Sequence, residues 1–337
     1  MRRQGIVAAA AIAAVTLPVA GYRYLTGRGA RRLLAAPRTQ AGEEELGPAI
    51  DAMGGEVVRL RSRDGLRLSG RWLPSIPPKG RRSKSKWVPD PHEAILLLHG
   101  WSGSVAPDIV EYAPFLRRIA GVLALDFRGH GESDDAATTF GMREVEDVAG
   151  ALAWLGERGI ERVALFGTSM GGMTAIAAVG VLGDGSLPGA DMDLDAPAGV
   201  VPAPRPRIVG VVADSVPPEL AVGIGSRIPG PIGRVAADRM LAAAARDLGA
   251  DPRTTEPIRM VGLVEPVPLL LIHGEADRTV PIADGRRLAA AAGPSAQHWA
   301  VPGADHTSSH ATMPQEYEER VTDGVRSAFL RARDGSL

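Results

Sequence analysis

The chain predicts an α/β protein in which an antiparallel hairpin feeds a parallel sheet, and three features of the sequence predict it. Continuous apolar runs recur at Ala94 to Leu98, Val122 to Leu125, Val163 to Phe166, Ile208 to Val212 and Leu269 to Ile272, as strands covered on both faces require. Helical patterns stand with them: Val145, Val148, Leu152 and Leu155 recur at spacings of three and four, and Tyr317, Val321, Val325 and Phe329 do the same farther on. Ahead of both, Val57 to Ser62 and Leu66 to Leu73 alternate about the turn signal Arg63-Asp64-Gly65, the mark of a hairpin with one buried face.

The composition fits such a fold. With 337 residues, 45% of them hydrophobic and 23% charged, the chain can bury the core of one large domain. A formal net charge of -1 gives no ground for a nucleic-acid partner. Cysteine is absent, which excludes disulfides, thiolate catalysis and cysteine metal sites.

The organisation expected is an N-terminal segment over 1–25, a linker over 26–50 and the globular domain over 51–335, with a lid inserted at about 216–266. The apolar run Ile6 to Gly21 is short for the roughly 20 residues of a bilayer core, yet longer than most signal-peptide apolar regions. Two readings stand: a cleaved signal, giving a secreted protein, or an uncleaved anchor that associates with a membrane through residues 6–21. Arg23, Arg28, Arg31 and Arg32 crowd the far side and Pro18 precedes the candidate cleavage site at Ala20, which favours the anchor. Residues Thr26 to Pro48 read as the linker. The basic loop residues Lys79, Arg81, Arg82, Lys84 and Lys86 read as solvated, with anionic lipid as the alternative partner.

The strand ends carry the chemistry, because open α/β sheets hold ligands there. Gly167-Thr168-Ser169-Met170-Gly171 joins a strand to a small-residue helix; the pattern forces a sharp turn that holds the serine hydroxyl at the sheet edge. After the first parallel strand, His99-Gly100-Trp101 turns the backbone so that the N–H of Trp101, with that of Met170, can point at a substrate oxygen. The loop from Asp126 to Ser133 reads as structural, with Asp126 and Arg128 paired. After Ile272, Asp277 sits where a carboxylate reaches an imidazole, while His273 and Glu275 read as packing or loop residues. His306 follows Gly303-Ala304-Asp305, so the order is Ser169, Asp277, His306. Asp214, at the end of another strand, is an alternative acid, and His310 an alternative to His306.

Together these segments, from Ala94 to His306, resemble the α/β-hydrolase superfamily. The likeness lies in His-Gly-x at 99–101, Asp-x-Arg-Gly-x-Gly-x-Ser at 126–133, Gly-Thr-Ser-Met-Gly-Gly at 167–172, His-Gly-x-x-Asp-x-x-Val-Pro at 273–281 and Gly-x-x-His at 303–306. The flavour is similar to the serine aminopeptidase, lysophospholipase and acyl-protein-thioesterase-like members. The resemblance implies an eight-stranded, mostly parallel sheet flanked by helices, and hydrolysis of acyl esters, thioesters or amides.

The chemistry expected is a serine hydrolase in which Ser169 forms an acyl-enzyme, His306 is the base and Asp277 orients it, with Trp101 and Met170 as backbone oxyanion donors. No cofactor or metal is required. Asp191, Asp193 and Asp195 lack the glycine and glutamate of a calcium loop, Ala196 and Pro202 standing there. The partner expected is a small-molecule or lipid-like acyl substrate; apolar lid residues such as Leu220 and Ile224 either line its site or pack on the sheet. Two other readings compete: an aminopeptidase-like amide hydrolase, and a binding protein with the same fold and no turnover.

Overall fold

The computed structural model describes residues 24–36, 41–77, 87–183 and 205–336. The apolar run 6–21, the basic loop residues from Lys79 to Lys86 and the Asp191 to Asp195 run lie outside the described residues. Among the described residues, no helix is long and apolar enough to cross a membrane.

Where a linker is expected over 26–50, two helices stand instead: α1 over 24–34, and α2, Ala41–Ala52. The reason is packing that the segment does not announce by itself. Ala30 and Leu34 of α1 close on Ala243 and Ala244 far along the chain, and Ile50 of α2 is fully buried in the core of the domain. Each helix has too few apolar residues to be stable alone, so partner surfaces supply the stability.

The hairpin pairs β1 (Glu56–Arg61) with β2 (Arg67–Leu73), Val58 opposite Gly70 and Leu60 opposite Leu68. Strand β2 then pairs antiparallel with β4 (Gly121–Leu125). Strands β3 (Glu93–Leu98), β4, β5 (Arg162–Thr168), β6 (Arg207–Asp214), β7 (Leu269–Gly274) and β8 (Ala296–Val301) pair in parallel. The order across the eight-stranded sheet is β1-β2-β4-β3-β5-β6-β7-β8. From β3 the chain moves one way to β4 and then returns to β5 on the other side. The winding thus reverses between β3 and β5, which opens a crevice beyond their carboxyl ends.

Alternate strand residues feed two cores, as the period of two demands. Leu96, Leu98 and Leu165 face α4 (Glu144–Gly156) and α5 (Met170–Leu182). Ile95, Leu97 and Phe166 face α3 (Val105–Leu116) and α11 (Pro314–Arg333). Between β6 and β7 lie α6 (Leu220–Gly225), α7 (Gly233–Leu248) and α8 (Pro257–Met260); α9 (Ile282–Ala291) and α10 (Ser309–Thr312) complete the domain. Leu220 and Ile224 belong to the α4/α5-side core.

Arg128 does not pair with Asp126. Its buried guanidinium forks onto Asp147 of α4 (Nη2 to Oδ1 2.8 Å) and onto Asp64 of the hairpin turn (Nη1 to Oδ2 2.8 Å). Asp126 instead accepts the Val105 N–H at 3.0 Å, at the start of α3. The three-way Arg128 bridge ties hairpin, loop and helix at one buried point.

Candidate active site

Ser169 stands at the turn from β5 into α5 with φ 49° and ψ -112°. That is a costly backbone for a residue with a side chain, and its surroundings impose it. A Cβ at Gly171 would lie 2.0 Å from the carbonyl oxygen of Leu98, and one at Gly167 would lie 2.3 Å from the Gly171 carbonyl carbon. Only glycine lets strand end and helix start cross so closely. The Ser169 N–H donates to the Asp214 carbonyl at 2.8 Å, which fixes the turn from the neighbouring strand.

Around this serine the structure gathers the residues the sequence singled out. His306 Nε2 is 3.1 Å from Ser169 Oγ, and His306 Nδ1 is 2.8 Å from Asp277 Oδ2. Asp277 keeps its other oxygen, Oδ1, for the N–H groups of Thr279 and Val280 at 2.8 and 2.7 Å. With these bonds made, one oxygen alone is left to face the imidazole. The two loops are laced together, since the N–H groups of Glu275 and Ala276 donate to the Val301 and Ala304 carbonyls at 2.9 Å each. Asp305 accepts from the Arg278 side chain and from the His306 N–H (2.8 Å), and the Arg278 bond holds its carboxyl well below the usual range.

The loop after β3 passes beside the serine. A Cβ placed at Gly100 would meet Ser169 Cβ at 3.7 Å, so the backbone leading to Trp101 runs alongside the hydroxyl. Met170 is the first residue of α5, whose amino end points at the same space; its N–H belongs to the first turn, which has no partner within the helix. His99 is buried and serves the loop: its Nε2 accepts the Phe127 N–H at 3.1 Å, and Nδ1 donates to the Gly100 carbonyl at 2.8 Å. Burial pushes its pKa down to about 3, which keeps the ring neutral. His130 likewise lies in the loop, accepting the Ser102 N–H at Nε2.

The alternative residues stand elsewhere. Asp214 is buried and accepts from Ser215 Oγ (2.8 Å), Tyr317 Oη (3.1 Å) and Ser309 Oγ (3.2 Å). Burial raises its pKa to about 6, against the pull of those donors. Ser215 Oγ in turn accepts the Thr307 N–H at 2.9 Å, so Asp214 braces the histidine loop rather than the imidazole. His310 turns to Glu111 at 3.1 Å and packs among Tyr112, Phe115 and Tyr317. His273 donates from Nε2 to the Val280 carbonyl at 2.8 Å, shaping the turn that carries Asp277.

Ser169 and His306 open onto a cavity of about 300 Å³. Met173 on α5, Leu220 and Ile224 on α6, Met240 on α7 and Val280 give it apolar walls. Residues of α6 and α7 thus border the cavity beside the serine, and Leu220 and Ile224 both pack into the core and line it. Sequence reasoning missed one further wall: Gly29, Arg32 and Leu33 of α1 also line the cavity, and the Trp101 indole N–H reaches the Leu33 carbonyl at 3.4 Å. No local pattern marks these residues, because α1 shows an apolar face only once α7 is beside it. Among the described residues, no group of three or more His, Asp or Glu side chains is placed to hold a metal ion.

The eight-stranded β1-β2-β4-β3-β5-β6-β7-β8 sheet agrees with what comparison finds; at its carboxyl edge stand a turn-borne serine, a carboxylate and an imidazole, in that chain order. The chain is similar to the uncharacterized protein YfhR of Salmonella typhi, 26% identical over 281 residues that cover 81% of this chain and 82% of that one. Its fold is similar to the Pyrococcus furiosus esterase Pf2001, with a TM-score of 0.59 at 20% identity, covering 88% of this chain and 98% of that one. It is also similar to an alpha-beta hydrolase from Vibrio vulnificus, with a TM-score of 0.61 at 18% identity, covering 90% and 92% of the two chains. The model of the alpha/beta hydrolase family matches residues 95–320, from the first parallel strand through the histidine loop into the last helix. This chain therefore belongs to the alpha/beta hydrolase family.

Proposed function

We propose that the protein is a serine hydrolase that cleaves acyl ester or thioester bonds through an acyl-enzyme. The observation that carries the reading is the continuous run Asp277 Oδ2, His306 Nδ1, His306 Nε2, Ser169 Oγ, with links of 2.8 and 3.1 Å. A serine hydroxyl is a weak nucleophile until an adjacent base takes its proton. His306 Nε2 accepts that proton as Oγ attacks the acyl carbon. Asp277 holds Nδ1–H, fixing the tautomer and stabilising the imidazolium.

The oxyanion of the tetrahedral intermediate is held by the backbone N–H groups of Trp101 and Met170, in a space lined by apolar side chains where such bonds are strengthened. The imidazolium returns its proton to the departing alcohol or thiol, leaving the acyl group on Oγ. Water then gives a proton to His306 and its oxygen to the acyl carbon, which releases the acid and restores Ser169. The apolar walls and the likeness to a solved esterase fold support an acyl substrate.

The test uses p-nitrophenyl esters of increasing chain length, an acyl thioester, an aminoacyl anilide and a fluorophosphonate label. The reading expects labelling that vanishes in Ser169→Ala and weakens in His306→Ala, with turnover of the esters or the thioester. Folded protein that takes no label would refute it; turnover of the anilide alone would move the substrate class to amides.

A further inference from the structure

The cavity beside Ser169 carries a charge pattern that acyl transfer does not use. The charged side chains that line it are Arg32 of α1 and Arg227, just beyond α6; no aspartate or glutamate is among the lining residues. Two arginines of the same segment are committed to carboxylates: Arg234 bonds Asp284 at 2.8 Å and Arg253 bonds Asp251 at 2.7 Å. Arg227 is not. Its Nη1 donates to the Gly223 carbonyl at 2.6 Å, and its guanidinium carbon stands 5.7 Å from the centre of the Trp101 ring. Among the described residues no carboxylate lies within ion-pair distance of it.

An arginine carries five N–H donors and keeps its charge at neutral pH. Burial pulls the pKa of Arg227 down, and the charge of Asp277 acts against that pull, so the guanidinium lies within electrostatic range of the triad carboxylate. Arg227 is an exposed residue at the rim, and a cation beside apolar walls, with one hydrogen bond, is stabilised by an anion brought to it. The apolar walls and the small volume, about 300 Å³ at the lower end of ligand pockets, set the rest of the guest: short and hydrocarbon-like.

We infer that Arg227, with Arg32 on the same cavity, is a specificity-determining residue that binds an anionic group, carboxylate or phosphate monoester, carried by the ester substrate. This rests on the serine-hydrolase reading. The anion belongs either to the acyl part or to the alcohol, and the planar fork of arginine fits both.

Two isosteric pairs test it. On the acyl side, the p-nitrophenyl monoester of adipic acid is compared with p-nitrophenyl 6-methylheptanoate. On the alcohol side, the butyrate ester of 2-hydroxyethyl phosphate is compared with that of 4,4-dimethylpentanol. The quantity read is the ratio of kcat/KM, anionic over neutral, within each pair. The inference expects a ratio of about 10 or more in at least one pair, as a charge-assisted bond supplies. That ratio should collapse toward 1 in Arg227→Gln through KM, recover in part in Arg227→Lys, and shrink in Arg32→Gln. The pair that responds identifies which part bears the anion.

A binding arm is independent of turnover: calorimetry of hexyl phosphate against hexanol on the Ser169→Ala protein and on Ser169→Ala/Arg227→Gln, each first checked for an unchanged melting profile. Phosphate binding at least about 10-fold tighter, lost with Arg227, supports the anion site even if no ester is turned over, in which case the hydrolase reading alone fails. Esters cleaved with ratios near 1 in both pairs, or ratios unaltered by Arg227→Gln, overturn the inference and leave the hydrolase reading standing.

Discussion

Replacing Gly171 by alanine should break the fold rather than the chemistry alone. The added Cβ would stand 2.0 Å from the Leu98 oxygen, 2.5 Å from the Leu98 carbonyl carbon and 2.9 Å from the His99 oxygen. Unstrained carbon contacts need about 3.5 Å, so α5 and the end of β3 must part by more than about 1 Å. All three opposing atoms are backbone, and Leu98 is pinned between Leu125 and Gly167 in neighbouring strands. Overpacking costs about 1–3 kcal/mol where side chains can yield. Here none can, so we place the loss at about 4 kcal/mol or more, out of a typical total of about 5–15. At about 2–4 °C per kcal/mol for a domain of this class, circular dichroism should show Tm falling by at least about 8 °C, or no soluble protein. Gly100→Ala is the control, because its nearest atoms would lie 3.7 Å away; its Tm should stay within about 3 °C. A Gly171→Ala protein that melts within about 3 °C of the parent would refute the argument that this crossing admits only glycine.

Asp277→Asn should leave the melting temperature near that of the parent, because the amide oxygen can still accept from Thr279 and Val280. Its NH₂ group, however, would turn the His306 tautomer away from proton abstraction, lowering kcat on esters by about 10³–10⁴; a loss under about 10-fold would sink the assigned role. Arg128→Met should cost about 3–5 kcal/mol by leaving the buried carboxyl of Asp147 without its partner, and Arg128→Met with Asp147→Leu should recover much of it in urea melts. No recovery in the double variant would show that the pair is not the cause. Glu111 raises the pKa of His310 above the ordinary 6.5. The stability from that pair is complete below 6.5 and fades as pH rises through the raised value. Glu111→Gln should therefore flatten the fall in stability across that window, which urea melts from pH 5 to 9 can show.

The sheet and the meeting of Ser169, Asp277 and His306 were legible because both are written locally. Five apolar runs mark strands without reference to anything distant, and each of these three residues sits in a short turn whose glycines and polar neighbours set its geometry, as Gly274 does by letting the Ala304 carbonyl approach. What stayed hidden depends on distant partners. Arg128 reads as a partner for Asp126, two residues away, whereas the fold hands it Asp147 on a helix and Asp64 in the hairpin turn. Helix α1 reads as linker because Leu33 and Leu34 have no apolar companion at helical spacing beyond Ala30. Arg227 reads as one more lid residue, since nothing local tells an arginine with a carboxylate partner from one without.

The placement of α1 has a further consequence. The cavity beside Ser169 borrows one side from residues 24–34, ahead of the stretch that the family model matches. Exchanging Arg32 or Leu33 would alter what the chamber admits while the sheet, the serine turn and the histidine loop stay as they are. In this protein, then, the lining of the cavity can drift through a short leading segment while the residues around Ser169 stay in place.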